Sequence, residues 1–413
     1  MLNSLPPELW LEILHHLPLT DLQAIYAVST LFHDITQSRI FGDIKVHLGP
    51  DKPDMEKLRE RLTFLCTPPV SLHVRKFTFH GRIRGSSHVQ SSLSLDSSNE
   101  WIVAILEAIP SFVNLHTLWL DSWTNPQIGL SRLGLENLTN LEDLWIVGSS
   151  FDYSDIPPVT KIHVKRLYLQ LSHSLHHYGG KARSFLPVMD PQTLSLLSLT
   201  FESKVHTRWL RDDLPVFANL HQLDLTCSAI SCIQLHDICA RFPSVRKLVV
   251  DAFLLDTPTS ALAALATQID TFCGPCSFLP LVLPGTGCSE LVVTDSTPAY
   301  LAETLATAGR TLSVTSLALS FSLHQTVTWM SPQAVFSLLP NVSELRLTII
   351  GNYKISDNDN AFSGILVRIL GAVRDLRSIE IKGVLLSLIS TRRKVEDSLR
   401  EALPYVRDIR VFG

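Results

Sequence analysis

The opening of the chain shows a helical pattern of apolar positions. Four apolar side chains spaced i, i+4, i+5 and i+8 fall on one stripe of an amphipathic helix: Leu9, Ile13, Leu14 and Leu17. Prolines at positions 6 and 7 precede the stripe, where a missing backbone N–H costs nothing and the fixed φ favours a first helical turn. We therefore expect a first helix that ends at Pro18.

Two more short helices are expected from the residues that follow. Thr20 and Gln23 have the spacing of a capping box, which would begin the second helix. The apolar residues of the second and third helices are Leu22, Ile25, Tyr26, Val28, Leu31, Phe32 and Ile35. Three short helices in about forty residues bury too little surface to be stable alone. They must pack on a partner chain, on the rest of this chain, or on both.

A second pattern, apolar-x-x-apolar-x-apolar, recurs from Val74 to the end of the chain. From Leu115 onward most copies begin 23 to 34 residues apart, and a gap of 43 residues after Val245 leaves room for a degenerate copy at residues 269–272. Amphipathic runs that end in Pro or Asn precede many copies. The twelve copies begin at Val74, Leu115, Leu141, Val164, Leu194, Leu220, Val245, Cys288, Val314, Val342, Leu376 and Val406.

This repeat predicts a solenoid of the α/β class. Each copy is a short strand that cannot bury its own apolar face, whereas stacked neighbours bury a continuous core. A helix, a turn and a strand in repeated order predict parallel strands joined by helical crossovers. We expect an irregular solenoid with a curved parallel sheet over residues 47–413, behind a helical module at residues 1–46, with a serine-rich loop at about 82–100. The alternative is an unrelated α/β fold with coincidental strands of this pattern.

The first forty residues resemble an F-box. The pattern of that family is found here at Leu5-Pro6, Glu8-Leu9, Ile13-Leu14, Leu17-Pro18, Asp21-Leu22 and Val28-Ser29. The resemblance implies binding to a Skp-type adaptor and, through it, to a cullin–RING ubiquitin ligase. The residues implied for that surface or its support are Leu5, Pro6, Leu9, Ile13, Leu14, Leu17, Leu22 and Val28. The alternative is an ordinary helical hairpin that caps a larger domain.

The repeats resemble the irregular leucine-rich repeats found behind F-boxes, as in many fungal proteins of that kind. Two departures are visible. The third F-box helix carries a basic-plus-Trp cluster in the family, whereas residues 30–34 of this chain place Phe32 in the aromatic position. The repeats also lack the Asn or Cys expected three residues after the last apolar position of each strand. Without that ladder of side chains, we expect irregular turns.

Composition narrows the classes of function. Hydrophobic residues make up 46% of the 413 residues and charged residues 18%, so the chain buries much of itself. A net charge of −4 gives no electrostatic case for nucleic acid or an anionic membrane. Seven scattered cysteines do not form a disulfide framework, and no secretory signal or run of about eighteen apolar residues is visible. We expect an intracellular protein of the cytoplasm, the nucleus or both.

One motif suggests catalysis at first sight. Cys273-Gly-Pro-Cys276 matches a thioredoxin-type redox motif, but the prolines that follow leave little room for the helix that lowers a thiol pKa. A zinc site from this pair and Cys288 lacks a fourth ligand. The sequence has no phosphate-binding glycine loop, nucleophile elbow or HExxH motif. We therefore expect no catalytic residue, metal site or cofactor.

The residue between the last two apolar positions of each strand faces away from the core. Three consecutive copies place Trp119, Trp145 and Tyr168 there, and parallel strands about 4.8 Å apart would align the rings. Exposed aromatic clusters are typical of binding hot spots, so we expect a protein substrate to bind this row. The alternative is that a loop, such as the serine-rich one, folds over the rings. The charges that would orient a substrate are Asp121, Asp143 and Arg166.

Together these features predict a non-catalytic substrate-recognition subunit of an SCF-type (Skp–cullin–F-box) E3 ubiquitin ligase. It would hold a protein substrate for ubiquitin transfer by other subunits. Two alternatives remain open. One is a non-degradative scaffold that uses the same two modules without a cullin, and the other is a thiol–disulfide enzyme centred on Cys273 and Cys276.

Overall fold

The computed structural model describes most, but not all, of the chain. The described residues are 5–47, 55–80, 103–121, 134–147, 161–171, 186–201, 215–256, 268–284, 287–294, 296–308, 313–322, 332–350, 367, 370–371, 373, 375–383 and 389–412. The expected serine-rich loop at 82–100 lies outside these ranges. The described chain forms two compact units, one holding the residues up to Phe201 together with Pro215, and the other holding the residues from Val216 onward.

Three short helices open the first unit: α1 (Pro7–His15), α2 (Leu19–Tyr26) and α3 (Thr30–Ile40). Ser29 caps α3, since its Oγ accepts a hydrogen bond from the backbone N–H of Phe32 at 3.2 Å. The predicted capping box at Thr20 is wrong. Pro18 occupies the N-cap of α2, so Thr20 lies inside the first turn, where its hydroxyl contacts Asp21 instead of a backbone N–H.

The first unit continues as a parallel sheet in which the strands pair in chain order, each with the next. Its strands are β1 (Asp43–His47), β2 (Lys76–His80), β3 (Thr117–Asp121), β4 (Asp143–Val147), β5 (Arg166–Leu171) and β6 (Leu196–Phe201). Helices α4 (Met55–Leu65) and α5 (Pro68–Ser71) lie between β1 and β2, and a helical segment at 103–108 precedes β3. Single 3₁₀ turns lie at Ile109–Ser111, Leu135–Asn137 and Leu186–Val188.

The second unit has the same construction, again with parallel strands that pair in chain order. Its strands are β7 (Gln222–Ile230), β8 (Lys247–Leu254), β9 (Thr271–Gly274), β10 (Glu290–Val293), β11 (Ser316–Ser322), β12 (Glu344–Ile350), β13 (Ser378–Gly383) and β14 (Asp408–Phe412). Its helices are α6 (Cys232–Arg241), α7 (Leu279–Val282), α8 (Pro298–Ala308), α9 (Pro332–Leu338) and α10 (Ile389–Ala402). The predicted repeat solenoid of parallel strands in an α/β fold is confirmed.

The core of both units follows the predicted pattern. In the copy that contains β2, all three apolar residues, Val74, Phe77 and Phe79, are fully buried, and the other copies repeat this arrangement. The predicted degenerate copy is also confirmed. Residues 271–274 form β9, which pairs with β8 and β10, and Phe272 is fully buried. No helix in the described part of the chain is long and apolar enough to span a membrane.

The turns are held by backbone hydrogen bonds between successive repeats. These bonds replace the Asn or Cys side chains that the sequence lacks after each strand. At the start of most strands, one carbonyl oxygen accepts two consecutive N–H groups of the next repeat, as Arg75 O does from His116 N at 2.7 Å and Thr117 N at 3.0 Å. Side-chain amides before two of the strands add further bonds. Asn114 Nδ2 donates to Leu72 O at 2.8 Å and Asn140 Nδ2 donates to Val113 O at 3.0 Å. These bonds satisfy turn carbonyls without an Asn or Cys after the strand.

Strand β1 is the one repeat that the sequence analysis missed. Phe41-Gly-Asp-Ile44-Lys-Val46 has the same apolar spacing, and the Gly42 carbonyl accepts the N–H groups of Arg75 and Lys76 like its counterparts in later repeats. Only Phe41 and Gly42 separate α3 from β1. The third helix therefore runs directly into the sheet without a linker.

Gly42→Ala is expected to lower the free energy of unfolding by about 1–3 kcal/mol. A Cβ on Gly42 would lie 2.3 Å from the Ser38 carbonyl oxygen, so the end of α3 or the start of β1 would have to move. Gly287→Ala is the matched control, because no described atom beyond its chain neighbours lies within 4 Å of a Cβ there. Urea unfolding followed by circular dichroism measures both variants, and equal midpoints would contradict the prediction.

Candidate functional site

The first candidate surface is a stripe of exposed apolar side chains on the N-terminal helices. Leu9 is 50% exposed, Ile13 is 45% exposed and Val28 is 67% exposed, and Leu5 and Pro6 are also exposed. Large exposed apolar patches are uncommon on monomers and mark interaction sites. We name Leu9 and Ile13, which lie one turn apart on helix α1, the α1 stripe.

Packing against α3 determines which apolar residues of α1 remain available. Leu14 and Leu22 are buried and Leu17 is half-buried, so Leu14 and Leu22 support the α1 stripe from within and do not belong to its surface. Arg39 of α3 donates a hydrogen bond from Nη1 to the Leu14 carbonyl. The helix stripe of the sequence analysis thus contains both exposed and interior residues. On helices α1 to α3, three exposed leucines were not among the predicted adaptor-surface residues: Leu11, Leu19 and Leu31.

Phe32 occupies the aromatic position of the third helix, as its place in the sequence suggests. Its ring packs edge-on against Trp10, with the ring centroids 5.0 Å apart and the planes at 88°. Beside it, Tyr26 lies against the His33 ring at 4.3 Å and against Phe41 at 5.9 Å. Phe41 in turn contacts Phe64 of α4 at 5.7 Å. This chain of rings joins the three helices to the first repeat.

The second candidate surface is the aromatic ladder, formed by Trp119, Trp145 and Tyr168 on the face of the sheet opposite the core. The three residues are partners in the register of β3, β4 and β5, which confirms the predicted alignment. The ring planes are 6° apart in both pairs, with centroids 4.6 Å apart for the tryptophans and 3.5 Å apart for Trp145 and Tyr168. All three side chains are half-buried, so the ladder exposes part of its surface.

The charges beside the aromatic ladder are engaged within the sheet. Arg166 makes two hydrogen bonds to the Asp143 carboxylate, one of them from Nη2 to Oδ2 at 2.7 Å, and these bonds raise the pKa of the Arg166 guanidinium. Asp121 is buried, and its Oδ2 lies 3.0 Å from His80 Nδ1. The His80 ring stacks on His47 of β1 at 4.7 Å. The charges that were predicted to orient a substrate therefore form bonds between neighbouring strands of the sheet.

The Cys273-Gly-Pro-Cys276 motif has no helix of redox type. Cys273 lies in β9, Cys276 lies in a 3₁₀ turn, and the helix that follows, α7, has only four residues. Burial raises the pKa of the Cys273 thiol, whereas a redox thiol needs a lowered pKa. Burial likewise raises the pKa of Cys227, Cys232 and Cys288 to about 11. Within the described ranges, no group of three His, Cys, Asp or Glu side chains is placed to hold a metal ion.

Comparisons with known proteins bear on the N-terminal helices. A family model described as F-box-like matches residues 2–41. No curated protein matches the chain. A crystal structure of a Bacteroides fragilis protein from a structural genomics consortium is 14% identical, with a TM-score of 0.30 over 78% of this chain and 72% of that chain. That likeness is too weak to carry an argument. Helices α1 to α3 therefore belong to an F-box-like domain, which precedes a repeat solenoid of parallel strands.

Proposed function

We propose that the protein is the substrate-recognition subunit of an SCF-type E3 ubiquitin ligase. In this proposal residues 1–46 are the module that binds a Skp-type adaptor, and residues 47–413 are the solenoid that binds a protein substrate. The observation that carries it is the α1 stripe within an F-box-like domain, because Leu9 and Ile13 expose apolar surface that a partner would cover. The protein would act in the cytoplasm, the nucleus or both.

The proposed mechanism is tethering. The subunit makes and breaks no bonds itself, but raises the effective concentration of a substrate near the subunits that transfer ubiquitin. The direct passage from α3 into β1 supports this role, since the adaptor surface and the aromatic ladder then belong to one compact unit. A rigid connection maintains the distance between the two binding sites better than a flexible linker does.

The adaptor and cullin steps are tested by reconstitution. The full chain, a Skp-type adaptor and a cullin–RING pair are mixed and separated by gel filtration. Co-elution of all four proteins supports the proposal. Co-elution with the adaptor but not with the cullin would replace the ligase proposal with the scaffold alternative, and failure to bind the adaptor would overturn both.

The substrate step predicts that Trp119→Ala and Trp145→Ala leave adaptor binding intact and remove substrate capture. Removing Trp145 takes away the ring in contact with both of its neighbours, and loss of a central aromatic residue typically costs 2 kcal/mol or more of binding, roughly 30-fold. Quantitative mass spectrometry compares the proteins recovered with each variant while the proteasome is inhibited. Tyr405→Ala is the matched control, since Tyr405 is 48% exposed and lies outside the aromatic ladder. If both tryptophan variants retain every partner, the aromatic ladder is not the recognition surface.

A further inference from the structure

The second unit contains a cavity of about 280 Å³ that none of the features above uses. It lies where the end of β8 meets the α7 turn and the outer side of α8, and its apolar walls are Leu254, Leu255, Pro280 and Tyr300. Leu255 is 53% exposed and Tyr300 is 47% exposed, so the cavity opens to solvent. Ligand pockets usually span about 300–1,000 Å³, so this one has room for a single side chain or a small molecule.

Two threonine hydroxyls that line the cavity already donate hydrogen bonds within α8. Thr304 Oγ1 donates to the Tyr300 carbonyl at 2.7 Å, and Thr307 Oγ1 donates to the Glu303 carbonyl at 3.0 Å. Both bonds run back one turn along α8, which is the usual arrangement of a threonine within a helix. The oxygen atoms of these two threonines can therefore only accept further hydrogen bonds.

Two carboxylates supply further acceptors. Asp256 and Glu303 both line the cavity, and no described lysine or arginine forms an ion pair with either of them. Asp256 Oδ1 accepts the backbone N–H of Cys232 at 2.8 Å, and the Asp256 carboxylate also helps to raise the pKa of the Cys232 thiol. By contrast, Glu290 on the sheet pairs with Arg346 at 2.8 Å. The cavity thus carries two negative charges without a neutralising cation in the described chain.

We propose that this cavity binds a cationic group on an aliphatic stem, a lysine or arginine side chain of the protein substrate. The stem would contact the leucines and Pro280, the cation would lie against the Tyr300 ring, and its N–H groups would donate to Asp256 and Glu303. The assignment to a substrate rests on the proposed function, whereas binding of the cation itself does not.

The test is a ligand-observed NMR titration of the full chain with capped single residues. The probes are the N-acetyl methylamides of lysine and arginine, and the neutral control is the same derivative of norleucine, each up to about 50 mM because single contacts bind weakly. We expect a cationic probe to bind and norleucine to bind at least about tenfold more weakly. Glu303→Gln and Asp256→Asn should each weaken binding about tenfold, since each keeps its shape and loses its charge.

Glu401→Gln is the matched control, because Glu401 is an exposed carboxylate on helix α10, away from the cavity, and its loss should change nothing. No binding of either cation, equal binding of norleucine, or no effect of the two cavity variants would overturn the proposal. A pentapeptide of glycines around a central lysine or arginine then distinguishes a protein side chain from a small amine as the natural ligand. Tighter binding than the single residue assigns a protein side chain, and equal binding assigns a small amine. None of these outcomes depends on the adaptor, so failure here leaves the adaptor proposal standing.

Discussion

A variant that carries both Leu9→Glu and Ile13→Glu is expected to lose at least about 100-fold in affinity for a Skp-type adaptor. Burying an apolar side chain of this size contributes about 1.5–3 kcal/mol, and each new carboxylate would enter an apolar interface without a partner. The fold should persist, because about half of each native side chain already faces solvent. Biolayer interferometry with the purified adaptor measures the affinity, and circular dichroism checks the fold.

Ile233→Glu is the matched control for this variant. Ile233 is 59% exposed on helix α6 of the second unit, so the same chemical change there should leave adaptor binding untouched. If the double variant binds the adaptor as tightly as the native chain, the α1 stripe is not the adaptor surface. If Ile233→Glu weakens binding equally, the loss reflects added charge in general and the α1 stripe loses its support.

Phe77→Ala is expected to lower the free energy of unfolding by about 3–5 kcal/mol. Phe77 is fully buried in β2, and its ring stacks on Phe112 at a centroid distance of 5.5 Å, so the truncation leaves a cavity between two repeats. Stability in a repeat array is a sum of local terms, so the loss should concentrate in the first unit. Urea unfolding gives the total, and amide hydrogen exchange of β1, β2 and β3 locates it.

Phe253→Ala makes the same chemical change at a position that is 75% exposed on β8. A surface substitution of this kind is expected to alter stability by no more than about 0.5 kcal/mol. The two variants therefore differ in burial alone. A loss of similar size in both would show that the stacked core of the first unit is not what stabilises it.

The junction between the helices and the sheet bears on how the proposed subunit would work. Phe41 is both the last ring of the helical cluster, through Tyr26, and the first apolar position of the repeats. Its contact with Phe64 continues the packing into α4. A force on the α1 to α3 helices is therefore transmitted to the sheet through packed side chains and through the hydrogen bonds of Gly42. In the proposed complex, such a junction would keep a bound substrate at a fixed distance from the adaptor.

The regular part of the fold was readable in the sequence because a strand has a side-chain period of two. Once the apolar positions of β3, β4 and β5 are aligned, Trp119, Trp145 and Tyr168 must fall in one row. The same argument located β9, whose Phe272 occupies the expected buried position. The F-box resemblance likewise rests on residues that are close together in the sequence.

Two other features were mispredicted because adjacent residues favoured a different structure from the one that the local pattern indicated. Phe41, Ile44 and Val46 show the repeat pattern, but the helical signal before them concealed strand β1. The Thr20 capping box failed because Pro18 occupies the N-cap, so α2 starts two residues earlier than that box requires. In both places the adjacent segment decided which structure formed.

The sequence by itself determined the F-box-like opening, the parallel repeats and the alignment of the aromatic ladder, because each follows from a regular spacing of residues along the chain. Only the tertiary structure decided that Leu14 is buried while Leu9 and Ile13 are exposed, since packing against α3 selects among the apolar positions of α1. It also decided the pairing of Asp143 with Arg166, and the cavity that brings Asp256 and Glu303 together from separate repeats. Contacts between distant segments carry no periodic signal, so spacing alone does not reveal them.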